Sequence, residues 1–89
     1  MMPRLADVER QAQIMAEVQQ ELHRAQSLYP SFSSPHEGYA IILEELDELW
    51  DEIKLRKDLR DTRTMRKEAI QVAAMAIRFL LDVAELPNA

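Results

Sequence analysis

At 89 residues the chain is sized for one domain, 1–89, which buries only about 60–65% of its unfolded surface. A net charge of −5 argues against general nucleic-acid binding, which needs a cationic surface, and the lack of cysteine excludes disulfides, thiolate metal sites and cysteine nucleophiles. Hydrophobic residues make up 47% of the chain, more than a lone domain of this size easily hides, so self-association is expected.

One glycine and the absence of β-branched alternation predict an all-α chain of three helices, at about residues 5–29, 35–58 and 62–85. The N-terminus turns polar at once, so no signal peptide is expected. No apolar run reaches the roughly 18–20 residues of a membrane span. Cytoplasm is the default location, with no membrane partner.

The first predicted helix carries apolar or small residues at Leu5, Val8, Ala12, Met15, Leu22 and Tyr29. Gln19 and Gln26 interrupt that seam, and a second ridge (Ile14, Val18, Ala25, Leu28) widens it, which suits a bundle helix better than a two-stranded coiled coil. His23, beside the stripe, reads as a surface or border residue. Pro30 and Pro35 disfavour helix in the residues before them, which places a loop at 31–35. Ser34-Pro35-His36-Glu37 then forms a capping box, with serine at N-cap, proline at N1 and glutamate at N3. That role accounts for Glu37 and leaves it outside any active site, whereas His36 is within reach of a ligand at the helix end.

The second helix holds the densest chemistry. Its stretch Ile41–Ile53 packs six carboxylates, Glu44, Glu45, Asp47, Glu48, Asp51 and Glu52, around an apolar stripe at Ile42, Leu46, Leu49 and Ile53. At about 100° per residue Glu44, Glu48, Asp51 and Glu52 gather opposite that stripe, with Glu45 at the border. Ile41 projects among the acids, so one end of this face is expected to be covered by protein. Crowded, partly covered carboxylates repel one another unless a cation sits between them, and a divalent metal is the usual answer.

Seven of the eleven basic residues follow in one segment, Lys54, Arg56, Lys57, Arg60, Arg63, Arg66 and Lys67. Two readings are open. The cations offset the upstream acids and complement the macrodipole at that helix end, or some of them hold the phosphates of a ligand. Asp61 or Thr62 is the expected N-cap of the third helix. That helix reads AIQVAAMAI over 69–77, apolar nearly all round, as in a helix buried on most sides. Glu68 and Gln71 stand on one stripe that continues through Met75 to Arg78 and Asp82. A carboxylate buried there needs a cation, hydrogen bonds or water, and the simplest partner is whatever the acidic face of the second helix also holds.

Glu44-Glu45-Leu46-Asp47-Glu48 is an EExxE motif, and Glu68-Ala69-Ile70-Gln71 follows after the basic turn. The combination resembles the all-α nucleoside triphosphate pyrophosphohydrolase superfamily: MazG-like enzymes and their relatives, the dimeric dUTPases and phosphoribosyl-ATP pyrophosphatases. The family's signature is EExxE, a helix end plus turn, then ExxD. The similarity covers roughly residues 36–83. It implies an oxygen-lined pocket for Mg²⁺ or Mn²⁺ and hydrolysis of an NTP or dNTP to the monophosphate and pyrophosphate. By resemblance Glu45, Glu48 and Glu68 are metal ligands, and Glu44 is an extra ligand or the group that activates water. Gln71 replaces the motif's aspartate. Its amide offers a neutral oxygen and removes one negative charge, so weaker metal affinity, a changed metal count or lost turnover is expected. Among the cations, Lys54, Lys57, Arg66 and Lys67 are the candidates for phosphate binding. Trp50 has two readings, core or interface packing and stacking on a nucleobase.

The expected architecture is an antiparallel hairpin of helices two and three with the long first helix packed along it. Two or four copies complete a MazG-like bundle, a dimer being the minimum and a tetramer favoured because a three-helix chain leaves more apolar surface to cover. The rival reading is a non-catalytic helical homo-oligomer with a solvated acidic face, or a partner-binding protein on the same scaffold.

Overall fold

A computed structural model describes residues 2–87. Among them the chain is all-helical, with α1 (Leu5–Leu28), α2 (Pro35–Ile53), a single 3₁₀ turn at Lys57–Leu59, and α3 (Thr62–Val83). None of these helices is long and apolar enough to cross a membrane. The helix starts follow local chemistry. Ser34 Oγ accepts from the Glu37 amide at 3.1 Å with Pro35 in the first turn, and Asp61 Oδ1 accepts from the Arg63 amide at 2.8 Å. Glu37 completes its half of the box one residue upstream of the expected place, accepting from Ser33 Oγ at 2.5 Å.

The helix ends depart from expectation. α2 stops at Ile53, five residues before the predicted 58, and α3 stops at Val83 instead of 85. No glycine or proline marks the end of α2. The next turns are mostly charged, and their apolar residues, Leu55 and Leu59, have nothing to pack against and stay exposed, so continuing the helix would bury little. The freed carbonyl of Leu55 is taken instead by Arg60 Nε at 3.0 Å.

α3 is the central element, and α1 and α2 each pack against it but not closely against one another. Gly38 lies against Phe79, Glu45 meets Gln71, and Leu49 and Ile53 share a cleft with Met65 and Ala69. Numbers rising on α2 as they fall on α3 make the pair antiparallel. α1 runs the other way, parallel to α3, with Glu17 paired to Arg66 and Tyr29 beside Arg78. Gly38 is where α2 comes closest: a Cβ there would stand 2.6 Å from Phe79 Cδ2 and 3.0 Å from Phe32 Cδ2.

Val18, Leu22, Ala25, Phe32, Ala74 and Met75 form the core, flanked by Ile41, Ile42, Ile70, Ala73, Phe79 and Val83. α1 therefore uses both of its predicted ridges, while Leu5, Met15 and Tyr29 remain exposed. On α2 the predicted stripe divides. Ile42 and Leu49 turn inward, Leu46 faces solvent, and Ile53 at the helix end stands half-exposed at the edge of the cleft with Met65 and Ala69. α3 is less enclosed than its composition suggests, because only two neighbours cover it: Ala69, Ala76 and Ile77 are exposed.

The loop between α1 and α2 is held by Arg78. This side chain is only 5% exposed and donates to the carbonyls of Tyr29, at 3.3 Å, and Pro30. It also lies 4.4 Å from the Phe32 ring centroid and 3.5 Å from Asp82 Oδ2, which in turn accepts from the Phe32 amide at 2.9 Å. Arg78→Met strands the Asp82 carboxylate and should cost about 3–5 kcal/mol. Urea unfolding followed by far-UV circular dichroism should show that loss, with part of it recovered in Arg78→Met/Asp82→Asn; equal stability of Arg78→Met and wild type would refute the clamp.

Candidate metal centre and adjoining cavities

Antiparallel packing brings the acids of two helices together. Glu45 and Glu48 lie one turn apart on α2, and Glu68 comes from the second turn of α3. One carboxylate oxygen from each lies within 4.8 Å of the others. Gln71, one turn beyond Glu68, fills the gap between them. With its amide oriented by these neighbours, the nitrogen donates to Glu68 Oε2 at 2.9 Å and to Glu45 Oε2 at 3.0 Å. A donor NH₂ between two carboxylates does weakly what a cation does fully.

The acids show the strain of this arrangement. Burial, and then the charge and hydrogen bond of Glu48 with further repulsion from Glu68 and Glu44, push the Glu45 carboxyl up to about 7. Glu68 is raised for the same reasons, burial first and Glu48 next; the Lys67 ammonium opposes the shift, and Glu52 adds to it. Asp47 and Asp51 stand outside the cluster, and Asp51 pairs with Lys54 at 3.0 Å.

Beside the cluster lies a cavity of about 400 Å³ between α1 and the hairpin. Glu44, Glu45 and Gln71 form one wall; Tyr29, Phe32, Ile41 and Met75 supply apolar surface; Arg24, Arg78 and Glu37 complete it. Ile41 is half-buried against the core, so the acidic face is covered at this end, as its place in the sequence indicated. A second cavity of about 440 Å³ lies between α1 and the first turns of α3, and the two cavities share Glu21 and Arg24. Arg24 holds Glu21 through two hydrogen bonds, 2.7 and 2.9 Å, and this bond above all lowers the Glu21 pKa. The same partner raises the pKa of Arg24, and Glu45 adds to that from across the groove.

The structure gathers Glu44, Glu45, Glu48, Glu68 and Gln71 into one neighbourhood. Arg66 and Lys67 line the second cavity, whereas Lys54 and Lys57 belong to the turn after α2 and line neither. Trp50 is 57% exposed and lines neither cavity. His36 borders a separate apolar cleft with Tyr39, Ile42 and Phe79. Sequence reasoning missed Arg24, Glu21, Tyr29 and Phe32, and it left Glu37 to its capping role alone. No spacing signal marks residues of α1 as neighbours of the acid motif on the next helix.

No protein-family model matches the chain, and neither a curated protein nor a solved structure is significantly similar to it.

The raised acids set a pH dependence. A carboxyl whose folded pKa lies above its unfolded value stabilises the fold while protonated, and that contribution is lost as pH rises through the folded pKa, here about 7 for Glu45. With EDTA present, Tm should fall between about pH 5.5 and about pH 8, and Glu48→Gln, which removes the charge acting on both neighbours, should flatten the fall. Identical profiles for the two proteins would show that the cluster is not coupled in this way.

Proposed function

We propose that the chain is a metal-dependent nucleoside triphosphate pyrophosphohydrolase of the MazG-like kind. The reading is carried by one observation: acids from the EExxE motif and from the second motif converge in space, beside a cavity whose wall includes Glu44, Glu45 and Gln71 and which also offers apolar and cationic surface. Three carboxylates within 4.8 Å, two of them reluctant to ionise together, suit a hard divalent cation such as Mg²⁺ or Mn²⁺. Glu45, Glu48 and Glu68 would hold it, and Gln71 would join them by turning its amide oxygen inward. When bound, such an ion neutralises substrate phosphates and lowers the pKa of a coordinated water.

The chain's own residues supply the rest. The apolar part of the cavity, Tyr29, Phe32, Ile41 and Met75, takes the nucleoside end and excludes water from it. Glu44, on the cavity wall beside Glu45 but outside the three-carboxylate cluster, would accept the proton of a water attacking the α-phosphorus. That water ends on the nucleoside monophosphate, and pyrophosphate leaves. A cytoplasmic location fits this activity.

Self-association belongs to the same proposal. Tyr39, Leu43, Leu46, Trp50 and Ile53 are exposed along α2 at alternating spacings of four and three, the a/d pattern of a helix that pairs with another helix. Ile77, Leu80 and Leu81 extend the uncovered apolar surface on α3. A second copy, or a pair of dimers, covers these faces. The stripe equally supports a non-catalytic oligomer, from which catalysis separates the hydrolase reading.

Wild type should release pyrophosphate from at least one NTP or dNTP with Mg²⁺ or Mn²⁺, Glu48→Ala should abolish it, and Gln71→Asp should raise it about tenfold by restoring a full ligand charge. Silence across the panel in both wild type and Gln71→Asp would leave the oligomer reading. For assembly, sedimentation equilibrium should give a dimer or tetramer that Leu43→Glu/Trp50→Glu reduces to monomer; an unchanged mass would place the interface elsewhere.

A further inference from the structure

We propose that the cavity between α1 and the first turns of α3 is an anion subsite for a phosphate or pyrophosphate group, with Arg24 and Lys67 as its principal contacts. The inference rests on the nucleotide reading and deepens it by naming where the polyphosphate tail lies. Four cations, Arg24, Arg63, Arg66 and Lys67, line this cavity against two carboxylates, Glu17 and Glu21. It is thus locally positive on a chain whose net charge is −5.

The start of α3 adds to the positive potential of this cavity, although Asp61 at the N-cap offsets part of it. The positive end of a helix macrodipole is its N-terminus, where carboxylates are favoured and cations are not. α3 has no acid in its first turn, carries Arg63 there, and brings Arg66 and Lys67 immediately after. α2, whose C-terminus these residues were expected to complement, ends at Ile53, and only Lys54 adjoins it. A bound anion gains from that potential together with the side chains.

Local partners occupy three of the four cations. Arg24 holds Glu21, Arg66 holds Glu17, and Arg63 lies 3.6 Å from its own N-cap Asp61. The Arg66 and Arg63 pairs are exposed and weak, and Arg24, held to the largely buried Glu21 by two bonds, keeps donor N–H groups for a phosphate oxygen array that accepts several charge-assisted bonds at once. Lys67 makes no ion pair among the described residues. It also immediately precedes Glu68 of the acid cluster, and Arg24 is shared with the cavity that holds Glu44, Glu45 and Gln71. An extended ligand can therefore span both cavities across Arg24, with the acid cluster between its apolar end and its anionic tail.

Isothermal titration with inorganic pyrophosphate, in EDTA at low salt, tests the subsite without metal or turnover. Wild type should bind saturably, Arg24→Gln/Lys67→Gln should bind about tenfold more weakly, and Arg4→Gln/Arg10→Gln, which removes two charges far from the cavity, should bind as wild type does. Glu48→Gln should retain binding. Absence of binding, or equal weakening in both double variants, would overturn the subsite. Binding that needs Mg²⁺ and disappears in Glu48→Gln would also overturn it, by placing the tail at the acid cluster, and would leave the hydrolase reading standing. Metal-free pyrophosphate binding by a protein that hydrolyses no NTP would uphold the subsite and sink the hydrolase.

Discussion

Arg78 is a nearly fully buried cation in a domain with very little interior, and the geometry of the site depends on how its charge is satisfied. Its guanidinium takes the carbonyls that end α1, lies on the ring of Phe32, and faces Asp82, which also holds the Phe32 amide. The α1–α2 loop is thereby fastened to α3 by charge-assisted bonds, where a larger domain would use apolar burial. Phe32 enters the core as a consequence, beside Gly38, where α2 must approach without a side chain. The angle of α2 is set at that point, and with it the register that brings Glu45 and Glu48 opposite Glu68.

The acid cluster is the reverse case, like charges brought together by packing. Glu45 answers by holding its proton to about 7. Gln71 supplies amide hydrogens where a further acid would add repulsion. A glutamine at this position thus has two consequences of opposite sign. It eases the metal-free fold and weakens the attraction for a cation. The two cavities repeat the separation of charge on a larger scale, with a wall of acids on one side of Arg24 and a group of cations on the other.

A small core and exposed apolar faces are two aspects of one constraint. Three helices in which only α3 has two neighbours can enclose the stretch around Ala74 and Met75, and little else. The near-continuous apolarity of 69–77 exceeds what α1 and α2 cover, and the outer stripe of α2 repeats the excess. Both are accounted for if further helices lie against them, as the proposed assembly provides.

What the sequence by itself determined is what short-range physics controls. Three helices, their starts at Ser34-Pro35 and Asp61, and the partial cover over Ile41 were legible because caps, periodicity and single-residue offsets act within a turn or two. The pairing of Glu45 and Glu48 with Glu68 was legible only through a motif spanning two helices. The end of α2 was not, since no breaker marks it and the helix stops where burial stops. Nor was the side of each apolar stripe that faces inward, with Ile42 and Leu49 in and Leu46 out. Only the tertiary structure set α1 parallel to α3. That direction brings Arg24 and Glu21 beside acids more than twenty positions away and moves the basic segment from the end of one helix to the start of the next. Such neighbours are decided by chain direction and packing angle, which no local pattern encodes.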